Sequence, residues 1–153
     1  MSETTGVPTD ERGELTITRE FDAPRELVFA AMLDPDQLTN FWGPVGTSAP
    51  LDRIKVDARP GGIFDVVMVN DDNGEEYPSS GVYVEIVDNE LISWIEPDVG
   101  MTTTSTYADI GNGRTRVVIH QTNAPEMYRS ADAVAGFQSS LDRFAAHLAN
   151  LVA

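Results

Sequence analysis

A single stripe of apolar side chains runs through the end of this chain. At about 100° per residue, Val134, Phe137, Leu141, Phe144, Leu148 and Leu151 fall on one face of a helix over roughly residues 130–151. Asp132, Ser139, Asp142, Arg143 and Asn150 lie opposite. Ser130 is suited to the N-cap, and Asp132 in the first turn meets the positive end of the helix dipole. A helix of this length has to bury its stripe, and what precedes it is mostly strand. Gly136 inside the helix costs about 1 kcal/mol relative to alanine, which calls for a close approach by a neighbouring element or a ligand.

"ELTITREF" (14–21) alternates Leu15, Ile17 and Arg19 with Thr16, Thr18 and Glu20, which predicts a first strand. In "DAPRELVFAAML", Pro24 suits a first helical turn, with Leu27, Val28, Ala31 and Met32 at helical spacing. "DPDQLTNFW" repeats the pattern: Asp34 caps, Pro35 starts, and a second short helix ends near Gly43 and Pro44. "RIKVD", "GIFDVVMVN", "SGVYVEIV", "ELISWIE", "MTTTSTYADI" and "RTRVVIHQT" then read as strands separated by turn residues. Short links favour antiparallel neighbours, so the order predicts an α+β fold: an antiparallel sheet of about seven strands wrapped around a long C-terminal helix. The turn word "DARPGGIF" (57–64) is not a phosphate loop. Gly62 is followed by Ile63, Phe64, Val66 and Val67, which read as strand where an anion site requires a helix N-terminus.

The 153 residues suit one domain, expected over 14–153, behind a polar, aperiodic tail over 1–13 that reads as disordered. Formal charge is −15, from 25 acidic against 10 basic residues, and Lys55 is the lone lysine. A field of that sign repels phosphate backbones and anionic lipid, so neither nucleic acid nor a membrane surface is an expected partner. Few lysines and many aspartates also fit a salt-adapted surface. No cysteine is present, which removes disulfides, thiolate nucleophiles and zinc ribbons. The start lacks the basic and apolar regions of a secretion signal, and no run of about 18 apolar residues occurs, so the cytoplasm is the expected location.

Five words occur in one order: "FDAPRELVFAAMLDPDQLTNFWGP" (21–44), "DARPGGIF" (57–64), "GVYVEIVDNELISW" (81–94), "GNGRTRVVIH" (111–120) and "GFQSSLDRFAAHLA" (136–149). With them the chain resembles the SRPBCC or START-like superfamily of helix-grip fold, and within it the family named for activators of the heat-shock-protein ATPase. The resemblance implies a cavity between sheet and terminal helix, open at one end. It does not select among the carriers, cyclases, receptors and resistance proteins that share the fold. Chaperone activation enters only as a subordinate expectation. Phe41 and Phe137 stand where many members have Trp.

Around such a cavity the fold would gather Phe41, Trp42, Phe64, Met68, Tyr83, Trp94, Tyr107 and Phe137. The expected ligand-binding set is Trp42, Phe64, Met68, Trp94, Tyr107, His120, Phe137, Gln138 and Leu141. The facing of two strands stays open. Val82, Val84 and Ile86 compete with Tyr83 for the inner side, and Leu91 and Ile95 compete with Trp94. His120 can bind a polar ligand group, act as acid or base, or simply be a partly exposed strand residue. His147 is expected to be solvated on the helix flank. "NDDNGEEY" (70–77) fails as a calcium loop, because aligning Gly74 puts Val69 and Ser80 at the first and twelfth positions. Neither G-x-S-x-G nor S-x-x-K occurs. The expectation is a binder of a small apolar or aromatic molecule, monomeric or homodimeric, without cofactor or metal. A cyclase- or hydrolase-like enzyme using His120 with a carboxylate or Tyr107 is the alternative, and a protein-interaction module the second.

Overall fold

Nine strands among the described residues, 5–8 and 13–152 of the computed structural model, pair antiparallel into one sheet. In chain order these are β1 (Thr5–Pro8), β2 (Leu15–Phe21), β3 (Thr47–Ser48), β4 (Ile54–Val56), β5 (Ile63–Asn70), β6 (Glu76–Val87), β7 (Leu91–Glu96), β8 (Met101–Gly111) and β9 (Arg114–Thr122). The spatial order is β1-β2-β9-β8-β7-β6-β5-β3, with β4 also on β5. Two short helices, α1 (Arg25–Ala31) and α2 (Pro35–Leu38), follow β2, and a long one, α3 (Ala131–Val152), follows β9.

Seven of these strands are those that alternation predicts. The additions are β3, two residues long, and β1, which pairs through Thr5–Pro8 with Leu15–Thr18. β1 falls within the stretch expected to be a disordered tail. A four-residue edge held by backbone pairing shows no periodicity in the sequence, so alternation does not detect it. The rest of that expectation, over 1–4 and 9–12, lies outside the described residues.

Cross-strand register sets the inner face of the sheet in rows. One row runs Tyr83, Trp94, Thr103, Gln121, Leu15, and the next Ile92, Ser105, Ile119, Ile17. All nine of these side chains are buried. In β6 the competition goes to Tyr83, 1 % exposed, over Val84, 54 % exposed. A register shift between Tyr83 and Glu85 ends simple alternation there, which is why the apolar pattern Val82, Val84, Ile86 misleads. In β7 Trp94 takes the inner side, and Leu91 and Ile95 are only half-buried.

Over these rows α3 lays Leu141, Phe144 and Leu148, with Val134 and Phe137 packed at the margin. Ser130 Oγ accepts from the Ala133 amide at 3.1 Å, the expected N-cap. Leu151 in the last turn is exposed, so the stripe is shorter than its spacing suggests. Asp34 Oδ1 caps α2 by accepting from the Asp36 amide, and Phe41 just beyond stacks on Phe144 at 4.3 Å. The "DARPGGIF" turn is a β4–β5 hairpin tied to the bulged strand: the Gly61 amide donates to the Tyr83 carbonyl, and the Tyr83 amide to that of Gly62. The acidic "NDDNGEEY" stretch is the β5–β6 turn, in which Asn70 Oδ1 accepts from the amides of Asp72 and Asn73.

Candidate functional site

Between the sheet and α3 the side chains leave a cavity of about 210 Å³. One wall is α3, through Phe137, Ser140, Leu141 and Phe144. The opposite wall is the sheet, through Phe21, Trp94, Val117 and Ile119, and the segment after α2 adds Phe41, Trp42, Gly43 and Pro44. Its half-buried members include Trp42, Pro44, Glu96, Phe137 and Ser140, which mark the approach to solvent. Besides Ser140 on α3, the polar members of the lining form a strip on the sheet: Glu96 on β7, Thr103, Ser105 and Tyr107 on β8, and Gln121 on β9.

Each group of that strip has a defined condition. Gln121 Nε2 donates to Thr103 Oγ1 at 3.3 Å, which leaves the Thr103 hydroxyl proton and the Gln121 amide oxygen for other use. Ser105 Oγ and Tyr107 Oη share a hydrogen bond at 2.8 Å. Burial pushes the Tyr107 phenol well above its ordinary range, against a smaller opposing effect of Ser105, so it stays neutral. Burial also raises the Glu96 carboxyl, with the Trp94 side chain working the other way.

An aromatic layer stands behind the lining. Phe64 meets Trp42 edge-on at 5.3 Å and Trp94 edge-on at 5.1 Å, and it stacks on Tyr83 at 5.5 Å. Trp94 crosses β6 at Gly81, where a Cβ would come within 3.1 Å of the indole and 3.2 Å of the Phe64 carbonyl. Both tryptophans are therefore fixed by rings behind them, and both line the cavity.

The mouth is held by α3. Arg143 Nη1 donates to the carbonyls of Gly43, Pro44 and Thr47 at 2.8, 3.2 and 3.2 Å, and Ser139 Oγ accepts from the Val45 amide. These two residues were expected on the solvated side of the helix. They are half-buried because the segment after α2 folds over that flank.

Of the nine expected ligand-binding residues, the structure places Trp42, Trp94, Tyr107, Phe137 and Leu141 on the lining. Phe64 sits in the layer behind. Met68 is a half-buried neighbour of the core, close beside Gly43. Gln138 faces β2, where its side-chain oxygen accepts from Arg19 at 3.1 Å. His120 stands on the outer face, 3.5 Å from Glu14, with 44 % of its side chain exposed. The reason is alternation: Val117, Ile119 and Gln121 turn inward, so His120 between them turns out. The same rule applied to Tyr107 reaches Ser105, Thr103 and Met101, a signal present in the sequence and unused. Glu96 follows from Trp94 in the same way. His147 is half-buried rather than solvated on the flank: its Nε2 lies 2.9 Å from Gln37 Oε1 and its ring 5.4 Å from Phe41. Among the described residues no three His, Cys, Asp or Glu side chains come together as a metal site, and no helix is long and apolar enough to cross a membrane.

Comparison with known proteins gives a match over residues 22–149 to the family model described as Activator of Hsp90 ATPase homolog 1-like protein. Among solved structures, protein CV1439 of Chromobacterium violaceum is similar with 29% identity and a TM-score of 0.82, over 89% of this chain and 97% of that one. Protein Ms6760 of Mycobacterium smegmatis is similar at 25% identity and TM-score 0.82, over 97% and 98%. The AHSA1 protein of Silicibacter pomeroyi is similar at 26% and 0.75, over 90% and 99%. The sequence matches no curated protein.

Proposed function

We propose that this chain, which belongs to the Activator of Hsp90 ATPase homolog 1-like family, is a small-molecule binding protein that holds an apolar, ring-containing ligand between its sheet and α3. The observation that carries this reading is the unfilled space of about 210 Å³ beneath a helix that lines it with Phe137, Ser140, Leu141 and Phe144. A core meant only for stability packs such space with side chains, since an empty apolar volume forfeits contacts on every wall. A cavity of about 150 Å³ accepts benzene, so this one suits a molecule of one or two fused rings. Transfer of such a ring from water contributes about 25 cal/mol per Å² of apolar surface buried, and the polar strip orients it.

The enzymatic reading as framed on His120 loses its residue, because that side chain is on the far side of the sheet. Glu96 and Tyr107 are the titratable groups that face the cavity. Burial raises both, and it keeps Tyr107 a neutral phenol that can hold a ligand only by hydrogen bonds.

Both tryptophans of the chain line the cavity, so their fluorescence reports occupancy. Titration with toluene is expected to change that emission saturably. A Ser140→Phe variant, which projects a ring into the cavity from α3, should weaken toluene binding about tenfold with little change in melting temperature. Toluene binding unchanged in that variant, or absent from the parent protein, contradicts the reading.

A further inference from the structure

The chemistry of the lining narrows the ligand class. Among the described residues that face the cavity there is no Arg, Lys or His, and the single carboxyl is that of Glu96. The neighbouring cations are committed elsewhere. Arg143 gives its Nη1 to the three carbonyls of the segment after α2, and Arg19, on the inner side of β2, is engaged by Asp142 and Gln138. A guest with a carboxylate or phosphate would bring its charge to a site that offers it no counter-ion and one like charge. The polar capacity left open is weighted toward acceptance by the Glu96 carboxyl and the Gln121 amide oxygen, against the Thr103 hydroxyl proton and the second N–H of Gln121 Nε2.

We infer that the cavity selects a ring-containing molecule that carries a hydroxyl or amine donor and no negative charge, with its donor turned to Glu96 and its ring against Trp94 and Phe137. This rests on the ligand-binding reading above and adds the functional group that the ligand bears. Glu96 is then a specificity-determining residue. It lies two residues along β7 from Trp94, on the same face, so a planar guest on the indole reaches the carboxyl within one pleat.

Calorimetric titration of the whole chain with naphthol, methylnaphthalene and naphthoate, substituted at the same ring position, tests this at neutral pH. Naphthol is expected to bind about fivefold tighter than methylnaphthalene, and naphthoate at least about tenfold weaker than naphthol. Glu96→Gln, which keeps the shape and removes the charge, should bring naphthoate to within about threefold of naphthol. Methylnaphthalene binding as tightly as naphthol overturns the donor assignment and leaves the cavity reading intact. Naphthoate binding as tightly as naphthol overturns the exclusion of anions, and an unchanged ratio in Glu96→Gln overturns the role of that residue. Failure of all three probes to bind contradicts the ligand-binding reading itself. The ratios in the parent protein decide the ligand class even if the variant does not fold.

Discussion

Tyr83 and Tyr107 each bury a phenol against the same sheet, and their hydroxyls are treated differently. Tyr107 Oη is paired with Ser105 Oγ, whereas Tyr83 Oη is buried with no hydrogen-bond partner. An unpaired buried hydroxyl costs more than a lost pair, which gives an order for three substitutions. Ser105→Ala strips the partner from Tyr107 and should cost about 1–3 kcal/mol in chemical denaturation. Tyr107→Phe removes the phenol end and leaves Ser105 Oγ directed at the Ile92 carbonyl, 3.4 Å away, for a cost of about 0.5–1.5 kcal/mol. Tyr83→Phe should be neutral or stabilising. A large loss for Tyr83→Phe contradicts the assignment. At this scale the sequence was partly legible. Aromatic residues could be picked out by type, but His120 drew attention through its chemistry although Ile119 and Gln121 beside it own the inner face. Alternation from one secure inward residue was the better guide. It failed in β6, where the shift after Tyr83 accompanies pairing to the Gly61-Gly62 turn and to β7.

The helix α3 carries the mouth as well as the core. Its stripe was legible because a 3.6-residue period over five turns is a strong pattern. Its clasp on residues 43–47 was not, because Ser139 and Arg143 look like any solvated flank until the segment after α2 is folded over them. Gly136 belongs to that contact. A Cβ there would meet Pro44 Cβ at 3.5 Å, an ordinary van der Waals distance, so the close approach inferred from the glycine exists and is not tight. Gly136→Ala should therefore stabilise the protein by up to about 1 kcal/mol through helix propensity. Thermal melting checks it, and destabilisation would show that Pro44 cannot accommodate the methyl. The short strands β1 and β3 were invisible for a different reason: an edge of two to four residues is specified by its partner's unpaired backbone and leaves no pattern of its own.

For the whole molecule, pH and salt act through separate groups. His147 lies between α3 and α2, and burial holds its imidazole below the ordinary value of 6.5, with Asp34 opposing. The unfolded chain then takes up a proton more readily than the folded one, so stability is full above about pH 6.5 and falls as pH drops below it. His147→Gln, which has no titrating ring, should flatten the melting temperature over that acid window, and an unchanged pH slope contradicts the assignment. The net charge of −15 has the opposite sense for salt. Screening of carboxylate repulsion should raise the melting temperature from low to molar sodium chloride, as a salt-adapted surface requires, and a flat response removes that reading. Fold and family were legible at this scale because five separated words and the order of elements agree. The cavity was not, because it is bounded by one to four residues each from β2, β7, β8, β9, α3 and the segment after α2, elements far apart in the sequence. The central claim, a guest held between sheet and helix, is tested most directly by intermolecular nuclear Overhauser effects between bound naphthol and the isotope-labelled protein. The account predicts cross-peaks from the naphthol ring to Trp94, Ile119, Phe137 and Leu141. Cross-peaks confined to exposed side chains such as Val84 and Met127, or none at saturating naphthol, would contradict it.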